Sequence, residues 1–192
     1  MRYLKVMKVW TQLHNLVVAA FLSAMVLATP GFGQTAKLDG LFDRLKTADA
    51  QASGNIEQEI WIEWSKSGSA AMDLLLERGR AAMDAGDLAL AVEHFTALID
   101  HAPDFAEGWN ARATAYYQMG QIGPSMADIG KTLQLNPRHF GALAGFAMIL
   151  GESGRKAQAL EVWQAVQSIQ PHASGVSDAL DRLTADLQGS TL

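Results

Sequence analysis

The chain repeats itself every 34 residues, and this period constrains its fold more than any other feature. Four columns of residue types keep the spacing: Pro103, Pro137 and Pro171; Gly86, Gly120 and Gly154; Ala91, Ser125 and Ala159; Phe95, Ile129 and Trp163. Four independent columns at one period are hard to obtain by chance. A period of this length is typical of arrays of small helical units, each of which buries its apolar face against its neighbours.

Each unit is predicted to be a helix, a tight turn, a second helix and a proline. In the second unit, apolar residues recur at helical spacing as Trp109, Ala113 and Tyr116. Gly120 then marks the turn, because a residue without a Cβ atom adopts positive φ at little cost. The second helix is expected to end at Asn136, since a following proline disfavours the α conformation. The three units are residues 72–105, 106–139 and 140–173.

This pattern resembles the tetratricopeptide repeat (TPR), which reads W-x2-L-G-x2-Y, then A-x3-F, then P. The matching residues are Gly79, Ala91, Phe95 and Pro103 in the first unit, Trp109, Tyr116 and Pro137 in the second, and Ala159 and Pro171 in the third. The resemblance covers about 100 residues and implies an all-α, superhelical solenoid of antiparallel helix pairs. It also implies a protein–protein interaction module rather than an enzyme.

The resemblance places a binding groove along the first helices, at the second, fifth, ninth and twelfth positions of each unit. These residues are Asp73, Leu76, Arg80 and Met83; Glu107, Asn110, Thr114 and Tyr117; and Gly141, Ala144, Met148 and Gly151. The candidate partner-binding residues among them are Arg80, Asn110, Thr114, Tyr117 and Met148. Donors beside an amphipathic ring suit a peptide. The alternative is an inert face covered by solvent.

Some members of the family hold a C-terminal carboxylate with a clamp of Lys, Asn and Arg side chains. The corresponding residues here are Leu76, Arg80, Thr114, Gly141 and Gly145, and only Arg80 is basic. We therefore do not expect this chain to bind chaperone tails in that way.

Two cations, Arg78 and Arg112, occupy positions at which the family often has leucine. A buried cation needs a partner, because an unpaired buried charge is costly. Asp128 lies 16 residues after Arg112, on the facing helix of the same unit. We therefore predict an Arg112–Asp128 ion pair, with both side chains extending into solvent as the alternative. For Arg78, Glu77 and Asp73 are both open as partners.

The segments that flank the three units are predicted to cap them. Residues 34–71 contain two apolar helical stripes and are predicted to form a degenerate first repeat, with Trp61 one period upstream of Phe95. Residues 174–192 are predicted to form one more helix and a frayed tail. Terminal repeats are commonly atypical, because their outer face contacts water.

Residues 1–33 are predicted to be a secretory signal peptide. Three basic residues precede an uncharged stretch of 13 residues, 16–28, and then Pro30 and small residues. A helix of that length spans roughly 20 Å, which is less than the hydrocarbon core of a membrane. We expect cleavage after Gly33, with cleavage after Ala28 as the second choice. The alternatives are an uncleaved inner-membrane anchor, which also leaves the body in the periplasm, and the first helix of a cytosolic fold.

Composition excludes several classes of function. Without residues 1–33 the chain has 12 basic and 20 acidic residues, so its net charge of −8 disfavours nucleic-acid binding. The chain has no cysteine, which excludes disulfides, thiolate metal sites and cysteine nucleophiles. It also lacks a G-x-S-x-G motif, a glycine-rich phosphate loop and an EF-hand pattern.

The remaining polar residues favour a binding protein over an enzyme. His101, His139 and His172 lie at the ends of second helices, where a cation favours the helix dipole. We expect them to cap helices or to lie in solvent, and we predict no metal and no cofactor. The leading hypothesis is a periplasmic or secreted, non-enzymatic adaptor or scaffold of the bacterial cell envelope, which binds a protein or peptide and contacts membrane only through its signal segment. The alternatives are a membrane-tethered assembly factor and an envelope hydrolase or hydrolase accessory protein.

Overall fold

The computed structural model describes residues 36–189, and the regular secondary structure of this part of the chain is all α-helix. It contains nine α-helices: α1 (Ala36–Thr47), α2 (Ala50–Trp64), α3 (Ala70–Asp84), α4 (Leu88–His101), α5 (Ala106–Gln118), α6 (Ile122–Leu135), α7 (Phe140–Glu152), α8 (Lys156–Ile169) and α9 (Val176–Gly189). The prediction of an all-α protein is confirmed for these residues. The predicted signal peptide, residues 1–33, and the end of the predicted tail, residues 190–192, lie outside the described residues.

The central six helices form three hairpins, α3–α4, α5–α6 and α7–α8, one for each predicted unit. The turn inside each hairpin contains a glycine with positive φ: 79° at Gly86, 71° at Gly120 and 78° at Gly154. A residue with a Cβ atom adopts this conformation only at a cost, which explains why glycine recurs there at the 34-residue period. Each hairpin packs on the next, through α4 against α5 and α6 against α7.

Neighbouring hairpins share their apolar cores. Leu76 and Phe95 of the first unit pack with Ala111 and Ala115 of the second, and all four side chains are buried. Phe95 lies directly against Gly79, where an ideal Cβ atom would be 2.2 Å from the Phe95 Cε1 atom. The groove assignment of Leu76 is therefore wrong, because the side chain is only 2% exposed and belongs to this core.

The second and third units share a second core in the same way. Ile129 and Leu133 of α6 pack with Leu143 and Phe146 of α7. The final helix, α9, extends this core by burying Val176. Stacking therefore gives each hairpin the apolar contacts that it cannot make alone.

The N-terminal hairpin, α1–α2, does not continue the stack upstream of the first unit. Its own core includes Phe42 and Ile60, and this core also takes in Phe140 from the start of α7. The edge of the Trp61 ring meets Phe140, with ring centroids 5.4 Å apart. The two apolar stripes predicted in residues 34–71 form a helical hairpin, but it packs on the third unit, so Trp61 does not occupy the place in the stack that Phe95 occupies. The 34-residue alignment fails here because it carries no information on long-range contacts.

Arg112 of α5 and Asp128 of α6 form the ion pair that the facing positions predict. Arg112 donates from Nε to Asp128 Oδ2 at 2.7 Å and from Nη2 to Oδ1 at 3.0 Å. Its Nη1 donates to Thr96 Oγ1 of α4 at 3.1 Å, so the guanidinium also joins the first unit to the second. These hydrogen bonds to Asp128 raise the pKa of Arg112, because they stabilise its charged form. Arg78, by contrast, is exposed to solvent.

The helices between residues 36 and 189 are all too short or too polar to cross a membrane.

Substituting Gly79 tests the packing of the first hairpin. We predict that Gly79→Ala lowers the free energy of unfolding by about 1–3 kcal/mol, because the added methyl group collides with the Phe95 ring. Gly54 of α2 is the matched control, since no atom lies within 4 Å of its ideal Cβ position. Gly54→Ala should raise the free energy of unfolding by about 0.5–1 kcal/mol. Urea denaturation that gives both variants the same stability would contradict the packing.

A double-mutant cycle tests the Arg112–Asp128 pair. We predict that Arg112→Leu alone lowers the free energy of unfolding by about 3–5 kcal/mol, because it leaves the buried Asp128 carboxylate without its cation. Arg112→Leu combined with Asp128→Leu should recover most of that loss, because it removes both charges. If, in chemical denaturation, the losses of Arg112→Leu and Asp128→Leu alone simply add in the double variant, the two residues are not coupled.

Candidate functional site

An open cleft of about 340 Å³ lies between α5 and α7, the first helices of the second and third units. Asn110, Thr114 and Tyr117 line it from α5, and Ala144 and Met148 line it from α7. Four of the five predicted partner-binding residues therefore surround one cleft, and Arg80 is not among them. The surfaces that line the cleft are mainly apolar.

Small residues create the open volume of this cleft. Ala113 on α5 and Ala144 and Gly145 on α7 occupy positions at which longer side chains would fill the gap. At Gly145, the nearest atom to an ideal Cβ position is Ile129 Cδ1, at 3.7 Å, so the surface there is open without being strained. Because these side chains are short, the space between α5 and α7 is not filled, and the apolar floor of the cleft stays accessible.

The rim of the cleft carries its polar and flexible groups. Tyr117 donates its hydroxyl proton to Glu152 Oε1 at 2.6 Å, which joins the C-terminal ends of α5 and α7. This bond raises the pKa of Tyr117, because it stabilises the protonated phenol beside a carboxylate. Met148 is 44% exposed, although methionine is usually buried. The Thr114 hydroxyl donates to the Asn110 carbonyl of its own helix at 3.0 Å.

Arg80 lies in a separate polar cluster at the N-terminal end of α5. Its Nη2 donates to Glu107 Oε1, and its Nη1 donates to Ser65 Oγ, just after α2, at 2.9 Å. Glu107 is only 3% exposed, and its second oxygen accepts from Asn110 Nδ2 at 3.2 Å. The predicted groove is thus divided into an open cleft and a closed polar end.

His139 completes this polar cluster. It caps a helix, one of the two outcomes expected for it, but it is fully buried and caps the N-terminus of α7 rather than the C-terminus of a second helix. Its Nδ1 accepts from the Ala142 backbone N–H at 3.1 Å, so the ring proton lies on Nε2, which donates to Glu107 Oε2 at 2.9 Å. Glu107 lies at the start of α5 and His139 immediately before α7, 32 residues later. This near-repeat spacing was the sequence signal that could have placed the two side chains together.

The N-terminal hairpin covers this closed end of the groove. Trp64 stacks on His139, with ring centroids 4.2 Å apart and an interplanar angle of 14°. Trp61 meets Gly141, where an ideal Cβ atom would lie 2.6 Å from Trp61 Cη2. Gly141, predicted as a groove residue, lines the open cleft and is also the contact point of a helix from the same chain.

Several hydroxyl groups around the cleft form hydrogen bonds within the protein. The Ser125 hydroxyl, which is 1% exposed, donates to the Ala113 carbonyl at 2.8 Å and is committed to the backbone. Within residues 36–189, no group of three or more His, Asp or Glu side chains has the geometry of a metal site.

Comparison with known proteins finds TPR relatives. No family model matches the chain. A TPR repeat-containing protein of Rhizobium etli is 37% identical over 155 residues, which cover 80% of this chain and 76% of that protein. The Sgt2 TPR domain of Aspergillus fumigatus has a TM-score of 0.59 at 18% identity, covering 64% of this chain and 83% of that chain. The first TPR of Spaghetti (RPAP3), bound to HSP90 peptide SRMEEVD, has a TM-score of 0.58 at 18% identity, covering 61% and 95%. At these identities the two structures show a common fold.

Proposed function

Because this chain belongs to the family of TPR repeat-containing proteins, we propose that it is a non-enzymatic adaptor or scaffold that binds a short segment of a protein partner. The observation that carries the proposal is the open cleft between α5 and α7, with its apolar floor of small residues and its exposed Met148. An exposed apolar concavity on a repeat surface is a usual place for a ligand.

The lining of the cleft defines the chemistry of the segment. A large apolar side chain, such as that of Phe, Leu or Trp, would bury itself against Ala144 and Ile149, beneath Met148. Asn110 at the rim has a side-chain amide whose carbonyl oxygen and NH2 group can form hydrogen bonds with a peptide backbone. Met148 is flexible and polarisable, so it adapts to more than one apolar side chain.

The segment differs in chemistry from the HSP90 peptide bound by the RPAP3 domain. Among the clamp positions in this chain, Leu76 is buried, Arg80 is paired with Glu107, and Gly141 lies under Trp61. Thr114 and Gly145 carry no charge. An acidic tail therefore has no free cation at these positions, and the proposed ligand is held mainly by apolar burial.

The cell envelope is the proposed location. The support is the sequence of residues 1–33, in which a basic start, a short apolar stretch and small residues follow one another. In the proposed form this segment is cleaved and the repeats are periplasmic or secreted. In the alternative it stays as an inner-membrane anchor, with the repeats on the periplasmic side.

Blocking the cleft tests the binding site. Peptides would be selected from a random library against the purified protein, and we predict that the enriched peptides carry large apolar side chains. Ala144→Phe should weaken their binding at least roughly tenfold, which corresponds to about 1.4 kcal/mol, because the new ring fills the cleft. Isothermal titration calorimetry measures the change.

The matched control is Leu90→Phe, which adds bulk at an exposed position of α4 away from the cleft. Its dissociation constants should equal those of the wild type. Unchanged affinity in Ala144→Phe, or equal losses in both variants, would refute the cleft as the binding site.

The mass of the exported protein tests the location. We predict that the mature chain isolated from the periplasm of an expressing bacterium begins at Gln34, because cleavage follows Gly33. Mass spectrometry of the intact protein gives the start. A full-length chain in the membrane fraction would favour the anchored form, and a full-length chain in the cytosol would contradict export.

A further inference from the structure

The N-terminal hairpin lies where a partner of the groove would lie. We propose that α1–α2 is a displaceable ligand of the chain's own repeats, which closes one half of the groove until a partner segment replaces it. This inference builds on the proposed function, because it divides the groove into a half that is always open and a half that opens on displacement. The occupant of the closed half is the segment 36–67 of the same chain.

The contact surface has the features of a bound helix in a groove. Two aromatic rings of α2, Trp61 and Trp64, spaced three residues apart, lie against His139 and Gly141 at the N-terminal end of α7. Arg80, at a groove position of the first unit, donates to Ser65 immediately after α2. The hairpin therefore contacts groove positions of two units, as an amphipathic helix in a groove does.

The two helices of the hairpin also contact each other directly. Leu41 and Leu45 of α1 pack with Ile56 of α2, and all three side chains are buried. Between the two helices, Lys37 Nζ forms an ion pair with Glu63 Oε1 at 2.6 Å. The hairpin keeps these contacts between α1 and α2 when it leaves the repeats, although it loses those with Phe140 of α7.

Its fit on the repeats is incomplete, which favours exchange. Among the described residues, one buried side-chain polar atom has no hydrogen-bond partner, and it is Nε1 of Trp64, in this contact. A cleft of about 460 Å³ separates the hairpin from the loop that contains Pro103. A buried donor without an acceptor costs free energy, so the covered state is less stable than a fully satisfied one.

A short segment of the chain allows the movement. Residues 65–69 connect α2 to α3, and Gly68 adopts a φ of 84° with no atom within 4 Å of its ideal Cβ position. Rotation about this exposed glycine can move the hairpin while α3 stays in the stack. Removal of the hairpin would expose Arg80 and Glu107 and would join the polar end of the groove to the open cleft.

Two glycines one helical turn apart provide a matched test of the proposal. Gly141 and Gly145 lie on the same face of α7, but an added Cβ atom collides with Trp61 only at Gly141. Hydrogen exchange measured by mass spectrometry on the purified protein should show exchange in residues 36–64 raised roughly tenfold or more in Gly141→Ala, while α3–α6 keep their protection. Gly145→Ala should not raise exchange in either region, because its added methyl group collides with nothing.

Two results would overturn the inference. Protection of residues 36–64 that is unchanged in Gly141→Ala would show that Trp61 does not hold the hairpin at this contact. Simultaneous loss of protection in α3–α6 would show that the hairpin is an integral part of the fold. If Gly141→Ala does not fold, Trp61→Ala removes the same contact from the other side, with the exposed neighbour Ile62→Ala as its control.

A cross-link separates this inference from the proposed function. The chain has no cysteine, so Asp39→Cys with Arg138→Cys, at an ion pair between α1 and the loop before α7, gives a unique site for a bismaleimide. Peptides selected from a random library against Trp61→Ala should bind the linked protein at least roughly tenfold more weakly than the unlinked protein. Equal binding would contradict displacement, even if peptides selected for the open cleft bind as proposed.

Discussion

The structure depends on one constraint: an amphipathic helix pair cannot bury its apolar stripe by itself. Phe95 illustrates how the constraint is met, because its ring fills the space left by Gly79 within the hairpin, and the same core continues into Ala111 of the next unit. Register between hairpins follows from these shared cores. The groove is a consequence of the same packing, since the first helices line one face of the stack and their short side chains leave the α5–α7 cleft open.

The polar end of the groove shows how a buried charge is accommodated in such a stack. Glu107 is almost completely buried, and it accepts hydrogen bonds from Arg80, Asn110 and His139. These partners lie on α3, on α5 and immediately before α7, so the carboxylate links the first helices of all three units. Because α2 covers this cluster, the burial of Glu107 depends on the position of the hairpin. The open cleft lies next to this cluster and is lined by uncharged residues.

Periodic features were predictable from the sequence because they depend on local spacing. The turn at Gly120 and the facing positions of Arg112 and Asp128 both follow from the geometry of one hairpin. The docking of α2 was not predictable, since Trp61 meets Gly141, a residue 80 positions later, and no spacing rule encodes that contact. The burial of His139 was missed for the same reason, because Trp64 of the hairpin stacks on its ring and Glu107, its hydrogen-bond partner, lies 32 residues earlier.

The position of Trp61 tests the docking of the N-terminal hairpin on the repeats most directly. In nuclear Overhauser spectra of the isotope-labelled protein, we predict cross-peaks between the Trp61 indole protons and the Gly141 Hα protons, because the ring lies on that glycine. We also predict cross-peaks from Trp64 to the His139 ring. Cross-peaks that instead join Trp61 to side chains of α3, without any to α7, would place the hairpin upstream in the stack and contradict the account.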